Sequence, residues 1–272
     1  MPLIRIVFIS LQEGYDFFSE SYTSIGIGNY LKVISDPMFT AAVSHTLIYA
    51  ICSGIPALVI SLFLANCLIE NTFVNRLFQT SFFMPLVTST VAICLVWKFM
   101  FNESFGIINY VVTAFGGERI GWFSDKHLQL LMLILLGIWE LIPITLLLLL
   151  SAFQGIDTRL LHSASMDTPS GLKVFWKIKL PLIKSTVITV AILNFIDSIK
   201  VFDVLFPLFN GRAGTTNNLP TLVYYVYYYM FERSNYGIAA ASAVIIIAAI
   251  AAVMVLFSLV KKWLGKGNEN KQ

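Results

Sequence analysis

Charge is scarce in this sequence. Only 12% of its residues are Asp, Glu, Lys or Arg, while 57% are apolar; soluble domains carry about 25% and about 45–50%. With a mean hydropathy of +0.80, the chain has the composition of a polytopic membrane protein. Its net charge is only +3, and its positive residues gather in particular loops, so no nucleic-acid partner is expected. Cysteine is scarce too. Cys52, Cys67 and Cys94 fall in or at the edge of apolar runs, which predicts small buried core residues and no disulfide framework or metal site. His45, His127 and His162 lie far apart, and no His-Glu-x-x-His occurs. No Gly-x-x-x-x-Gly-Lys-Ser/Thr loop is present, so any ATP hydrolysis must belong to another chain. The opening stretch Met1–Ser10 is too short for a cleavable signal, and no small-residue cleavage site follows.

What the chain does have is long apolar runs. Met1–Leu11 is a stub well below the ~20 residues needed to cross a bilayer. Glu13–Asp36 is polar and turn-rich. Spans are expected at roughly 43–68, 81–100, 128–152, 182–207 and 237–260. The first holds Gly54 and Pro56, the second Pro85, the third Pro143; neighbouring helices can satisfy the backbone groups such residues free. Trp97-Lys98 and Lys261-Lys262-Trp263 suit interfacial anchoring at span ends. Asn102–Lys126 is expected as an external loop, Phe209–Tyr236 as a re-entrant or external segment rich in Tyr, and Asp157–Pro181 on the opposite side of the membrane.

A few ionisable or polar residues sit inside the apolar runs. Trp139-Glu140 lies mid-span, and Asn194, Asp197 and Lys200 interrupt the least apolar run. A charge at bilayer depth costs at least ~2.5–3.5 kcal/mol, so such groups usually face a bundle interior or a cavity. Asp197 and Lys200, three apart, can pair on one helix; Glu140 could instead pair with Lys200 between helices. One reading is a buried pair that fixes helix register. The other is a wall of a translocation path, where Trp139 and Asn194 would suit sugar rings and hydroxyls.

The segment Asp157–Pro181 is polar and basic between two apolar runs. It divides into two helical pieces. Thr158–Asp167 carries Leu160, Leu161 and Ala164 at helical spacing. Thr168-Pro169-Ser170-Gly171 interrupts it, because a proline disfavours helix at the residue before it. Leu172–Leu180 puts Phe175 and Ile178 on one side and Lys173 and Lys177 on another, and Pro181 suits the first turn of the next helix. Such a loop either docks a partner or lies as a basic surface on the cytoplasmic side.

These residues resemble the coupling loop of permease subunits of bacterial ABC importers: Glu-Ala-Ala-x-x-x-Gly, a spacer, then Ile-x-Leu-Pro. Here His162-Ser163-Ala164 stands for the opening triplet. Asp167 matches the sugar-importer version, and Phe175, Ile178, Leu180 and Pro181 match in order. Thr168-Pro169 departs from the pattern's Gly-Ala. Further weak motifs of the maltose and glycerol-phosphate type follow in the family's order. They are Gly26-Ile27-Gly28-Asn29-Tyr30, Gly106-Ile107-Ile108-Asn109, Val201-Phe202-Asp203, Asn210-Gly211, Leu222 with Tyr225 and Tyr227, and Tyr236-Gly237-Ile238-Ala239-Ala240-Ala241. Arg212-Ala213 replaces Gly-Pro, so the turn after Gly211 is expected to be built differently. Measured against that pattern, the chain begins near the end of a first span.

The resemblance implies an all-α polytopic bundle in one transmembrane domain over 1–272. It has five full transmembrane helices, an N-terminal remnant of a sixth and a cytoplasmic two-helix coupling loop at 157–181. It implies a non-catalytic, multi-pass subunit in the bacterial inner membrane that imports a carbohydrate or related polar solute. The implied partners are a second permease in a homo- or heterodimer, two ATPases that bind the ATP, an extracytoplasmic solute-binding protein and the lipid bilayer. No cofactor is expected in this chain. The coupling residues would be Leu160, Leu161, His162, Ser163, Ala164, Asp167, Thr168, Phe175, Ile178 and Pro181. A secondary transporter would normally show internal repeats over more spans, and an intramembrane enzyme would need a catalytic constellation that is not found. Orientation has an independent basis. With 157–181 inside, ten Lys and Arg fall on the inner side and six, spread over longer loops, on the outer, in keeping with the positive-inside rule.

Overall fold

The computed structural model describes residues 2–70, 72–157, 159–160 and 171–269, with side chains as far as residue 257. In chain order, α1 (Pro2–Leu11) leads into a two-residue antiparallel hairpin, β1 (Gln12–Glu13) and β2 (Ser24–Ile25). Then come α2 (Gly28–Ser35), α3 (Pro37–Cys67), α4 (Phe73–Phe83), α5 (Thr90–Met100), α6 (Ile107–Ala114) and α7 (Lys126–Gln154). The second half holds α8 (Gly171–Val174), α9 (Leu180–Leu182), α10 (Lys184–Ile199), α11 (Leu205–Leu208), α12 (Leu222–Tyr227) and α13 (Tyr236–Glu269). Apart from the hairpin and an isolated bridge between Asp16 and Ser21, the regular elements among the described residues are helical. Three helices are long and apolar enough to cross a membrane: α3, α7 and Tyr236–Phe257 of α13. The number rises to five if each of two interrupted pairs, 73–100 and 171–199, forms one span.

Both interruptions have local causes. The second expected span is not one helix. After α4 the chain tightens into a 3₁₀ turn, Met84–Val87, and Thr88 is extended. Pro85 sits in the first turn of that segment and has no N–H to continue α4. The second bend, of 75° between 171–182 and 184–199, falls at the start of the fourth expected span. A wide π turn, Phe175–Lys179, precedes Pro181, which again has no N–H to give. This span ends at Ile199 rather than Pro207. Beyond that point the Val201 carbonyl accepts from Thr221 Oγ1 at 3.0 Å instead of from a helical N–H.

Two compact units divide the chain. The first comprises Met1–Tyr49, Thr90–Leu133 and Ile199–Gln272. Its apolar centre includes Val33, Phe39, Ala42, Tyr225, Ile238 and Ala241. Here two of the weak sequence motifs meet. Asn29 is buried and donates through Nδ2 to the carbonyls of Ser10 and Gln12 at 3.0 and 2.9 Å. A Cβ on Gly237 would lie 2.7 Å from that Nδ2, so only glycine lets α13 come so close. Tyr30 completes the junction through its hydroxyl, 2.7 Å from Ser10 Oγ.

The second unit comprises Ala50–Ser89 and Ile134–Ser198. Its core gathers Ala65, Leu68, Leu146, Leu149, Leu150, Phe153, Phe175, Ile183 and Val190. Ser61 Oγ donates to the Ile142 carbonyl at 3.2 Å, joining α3 to α7. Thr145 Oγ1 donates to Asn194 Oδ1 at 2.9 Å, joining α7 to α10. Interhelical bonds of this kind contribute ~0.6 kcal/mol on average in membranes, so they set register more than stability. The expectation of three buried thiols holds only for Cys94; Cys52 and Cys67 are exposed on α3. Both faces of that helix are apolar, so an apolar run does not tell a core-facing position from an outward one.

Candidate functional site

Two places in the fold carry the polar residues singled out in the sequence, and a third was not singled out there. The first lies where α4 ends. Unwinding at Met84–Val87 opens a cavity of about 270 Å³, lined by Ser81, Met84, Thr88 and, from α7, Trp139 and Pro143. Trp139 is 36% exposed. Glu140 beside it is half-buried. A ring face and two hydroxyls here suit a polar solute that carries an apolar side.

The sequence readings of the remaining polar positions separate. Asn194 is buried and bonded to Thr145; its Nδ2 has no protein partner among the described residues. It belongs to the packing between α7 and α10, not to an open surface. Asp197 and Lys200 are exposed on this chain. Burial inside the subunit's own bundle, expected from the cost of a membrane charge, is therefore not what the fold does with these two residues.

The second place is the segment 157–181. Leu161, His162, Ser163, Ala164, Asp167 and Thr168 lie outside the described residues. Leu160 is 52% exposed. From Gly171 to Leu182 the chain is helical, as the sequence predicts, but with the wide turn at Phe175–Lys179. Phe175 points inward: it is 4% exposed and packs between the rings of Phe63 and Phe153. The expectation that Phe175 offers its side chain to a partner is thereby corrected. Ile178 is half-buried and Pro181 exposed. The outward apolar groups are instead Leu172 and Trp176, 64% and 59% exposed. Lys179 Nζ donates to Asn66 Oδ1 at 2.9 Å, which ties this segment to the end of α3.

The third place was missed in the sequence. Asp36 ends α2 and caps α3, accepting the Met38 N–H at 2.8 Å. Its other oxygen accepts from the hydroxyls of Tyr225 and Tyr229 at 2.8 and 2.7 Å. Burial pushes the Asp36 carboxyl up, but the bonds from Tyr229, Met38 and Tyr225 outweigh it and hold the group below its ordinary range. Burial and the same carboxylate raise both tyrosines. Close by in sequence, Leu222 N–H donates to Thr46 Oγ1, and the Pro220 carbonyl meets His45 Nδ1. The connection 201–236 is thus fastened to the start of α3 at three points. The tyrosine spacing in that segment was the one available signal, and it named no partner.

The family described as binding-protein-dependent transport system inner membrane component matches residues 46–267, and the chain belongs to it. The Trehalose/maltose transport system permease protein MalF of Thermococcus litoralis is 25% identical over 97% of this chain and 88% of its own length. The Osmoprotective compounds uptake permease protein GgtC of Synechocystis sp. is 25% identical, covering 94% and 90%. The Lactose transport system permease protein LacF of Rhizobium radiobacter is 26% identical, covering 85% and 77%. Among solved structures, a chain of the bacterial alginate ABC transporter, crystallised with its alginate pentasaccharide-bound periplasmic protein, superposes with a TM-score of 0.83. The identity is 18%, covering 97% of this chain and 88% of that one; that likeness bears on the fold. The protein is a multi-pass inner-membrane permease component of an ABC importer, and it is not itself an enzyme.

Proposed function

We infer that this chain is one of two permease subunits in an importer of a carbohydrate or related polar solute. The interrupted pair 73–100 counts as one span and α10, without the segment 171–182, as another, giving five with α3, α7 and α13. The loop 102–126 lies outside and 157–181 inside. A second permease, two ATPases and a solute-binding protein complete the assembly, and ATP is bound by the ATPases. The solutes in the relatives' names, trehalose or maltose, lactose and osmoprotective compounds, support a polar, hydroxyl-rich cargo. The cavity beside Trp139, with Ser81 and Thr88, suits such a cargo, and the exposed Asp197 and Lys200 would line the path between the two permeases. Glu140 is half-buried beside Trp139, and Asn194 supports the wall from behind.

The observation that carries the coupling role is the set of apolar side chains left outward on a basic loop: Leu160, Leu172 and Trp176. ATP-driven closure of the ATPases would push this loop, and α10 would pass the motion into the membrane. His162, Ser163, Ala164, Asp167 and Thr168 would complete the contact.

Ala164→Asp tests the reading. A charge desolvated there without a partner costs several kcal/mol of association. The variant is expected to insert normally, lose the ATPase from washed membranes and stop uptake. Wild-type ATPase retention and uptake would refute the coupling role.

A further inference from the structure

A cavity of about 440 Å³ in the first unit is walled by Lys98, Phe123, Phe209, Asn210, Arg212 and Thr215. That size is ordinary for a small-molecule site. Two cationic side chains line it, and no carboxylate does. The Arg5–Glu20 salt bridge lies elsewhere on the chain. Lys98 Nζ instead donates to Asn210 Oδ1 at 2.6 Å. That bond uses the amide oxygen and leaves the Asn210 N–H groups for a further acceptor.

The wall is held in place. Asn210 and Gly211 both adopt positive φ, 55° and 85°, and Gly211 N–H donates to the Phe206 carbonyl at 2.7 Å. Ala213, next to Arg212, donates its N–H to Asn217 Oδ1 at 3.2 Å, a bond that a proline could not make. Gln129 is fully buried and clamps the other side, donating to Thr215 Oγ1 at 2.8 Å and accepting the Thr215 N–H at 3.1 Å. A fixed ammonium, a guanidinium and an amide around one concavity focus positive potential, and guanidinium pairs especially well with a carboxylate. Phe123 and Phe209 add ring faces.

We propose that this cavity binds an acidic solute of monosaccharide size, its carboxylate or phosphate held by Lys98, Arg212 and Asn210 and its ring by the phenylalanines. The sugar portion of the proposal rests on the transport reading above; the anion portion does not.

The test uses the full chain, with the subunits that co-purify, in phosphatidylcholine nanodiscs. Equilibrium dialysis compares glucuronate, galacturonate and glucose 6-phosphate with glucose and galactose. Acidic sugars are expected to bind more tightly than their neutral counterparts. Lys98→Met with Arg212→Met should weaken that binding at least about tenfold, since two charge-assisted contacts are lost. Asn210→Asp gives an independent arm. Aspartate tolerates the left-handed turn and places a carboxylate against Lys98. It should reduce acidic-sugar binding while the melting temperature stays at the wild-type value. No preference for the acidic sugars, or unchanged binding in Asn210→Asp, overturns the proposal. So does displacement by phosphatidylglycerol-rich nanodiscs, which would make this a lipid headgroup site. ATPase co-purification, scored on the same preparations, reports on the transport reading separately.

Discussion

Asp36 makes three bonds from one carboxylate, and its loss has consequences on both sides of neutral pH. Asp36→Ala would leave two tyrosine hydroxyls without their acceptor and α3 without its cap. Hydrogen bonds to a charged group contribute ~1.5–3 kcal/mol each, so destabilisation of roughly 3 kcal/mol or more is expected in urea or thermal unfolding of the purified chain. Tyr225→Phe, which leaves Tyr229 in place, should cost about half as much by the same scale. The pH dependence follows from the directions of shift. A carboxyl held low in the folded state adds stability that is complete above its unfolded value of ~3.9 and is lost as pH falls through the lower folded value. Tyr225 and Tyr229 are raised, so their share is complete below ~10 and is lost as pH climbs above it. The melting temperature should therefore be flat between these limits. Asp36→Asn should flatten the acid limb selectively; an acid limb identical to wild type would count against the tyrosine–carboxylate cluster.

At the scale of elements, the loop 102–126 is organised by one amide. Asn109 is buried. Its Nδ2 donates to the Glu103 and Ile120 carbonyls at 3.1 and 2.9 Å, and its Oδ1 accepts from Ile120 N–H and Trp122 Nε1 at 3.1 and 3.2 Å. All four of its hydrogen-bonding positions are filled. Gly106 starts the helix that carries it, where a Cβ would collide with the backbone of Met100 and Asn102. Asn109→Ala strands several buried groups at ~1–3 kcal/mol each. The loop should become sensitive to protease while the spans remain protected; an uncut loop would show that other contacts suffice.

The segment 171–182, proposed to couple, makes the opposite use of its side chains. Phe175→Ala removes a core ring, at ~3–5 kcal/mol, and should lower the melting temperature. Trp176→Ala removes an outward one, and should leave the melting temperature unchanged while weakening ATPase retention. Equal effects of the two substitutions on folding would contradict the inward and outward assignments.

For the whole molecule, many large apolar side chains among the described residues are exposed. The spanning window of α13 is only 22% buried within the chain, against 56% for α7. The spanning window of α7 is thus the most buried of the three, and that of α13 the least. Topology is open to direct measurement. Cys52 and Cys67 are exposed and must be replaced, together with Cys94, before single cysteines are introduced. An impermeant thiol reagent applied to intact cells is expected to label positions within 102–126 and to spare those within 157–179. The reverse pattern would invert the proposed orientation.

Hydropathy and motif order were enough to establish an all-helical polytopic membrane fold, the approximate positions of its three unbroken spans and the family. Each of these depends on local composition or on short patterns, and those are written in consecutive residues. The weak motifs also held structural sense: Asn29 meets Gly237, and Gly106 and Asn109 build one turn and its hub. Their partners could not be read, because nothing local links residue 29 to residue 237, or Asp36 to Tyr225. Direction was the other thing hidden. Helical spacing put Phe175 on one side of its segment and left Trp176 off it, and assigned the Phe175 side to a partner. In a soluble helix the apolar side goes inward and the polar side outward. In a membrane span lipid accepts apolar side chains as readily as the core does, and on a loop outside the bilayer a partner can, so spacing finds a face but not the way it turns. Only the tertiary structure settled that Phe175 and Cys94 go in while Trp176, Cys52 and Cys67 stay out, because burial is decided by which helices pack against which.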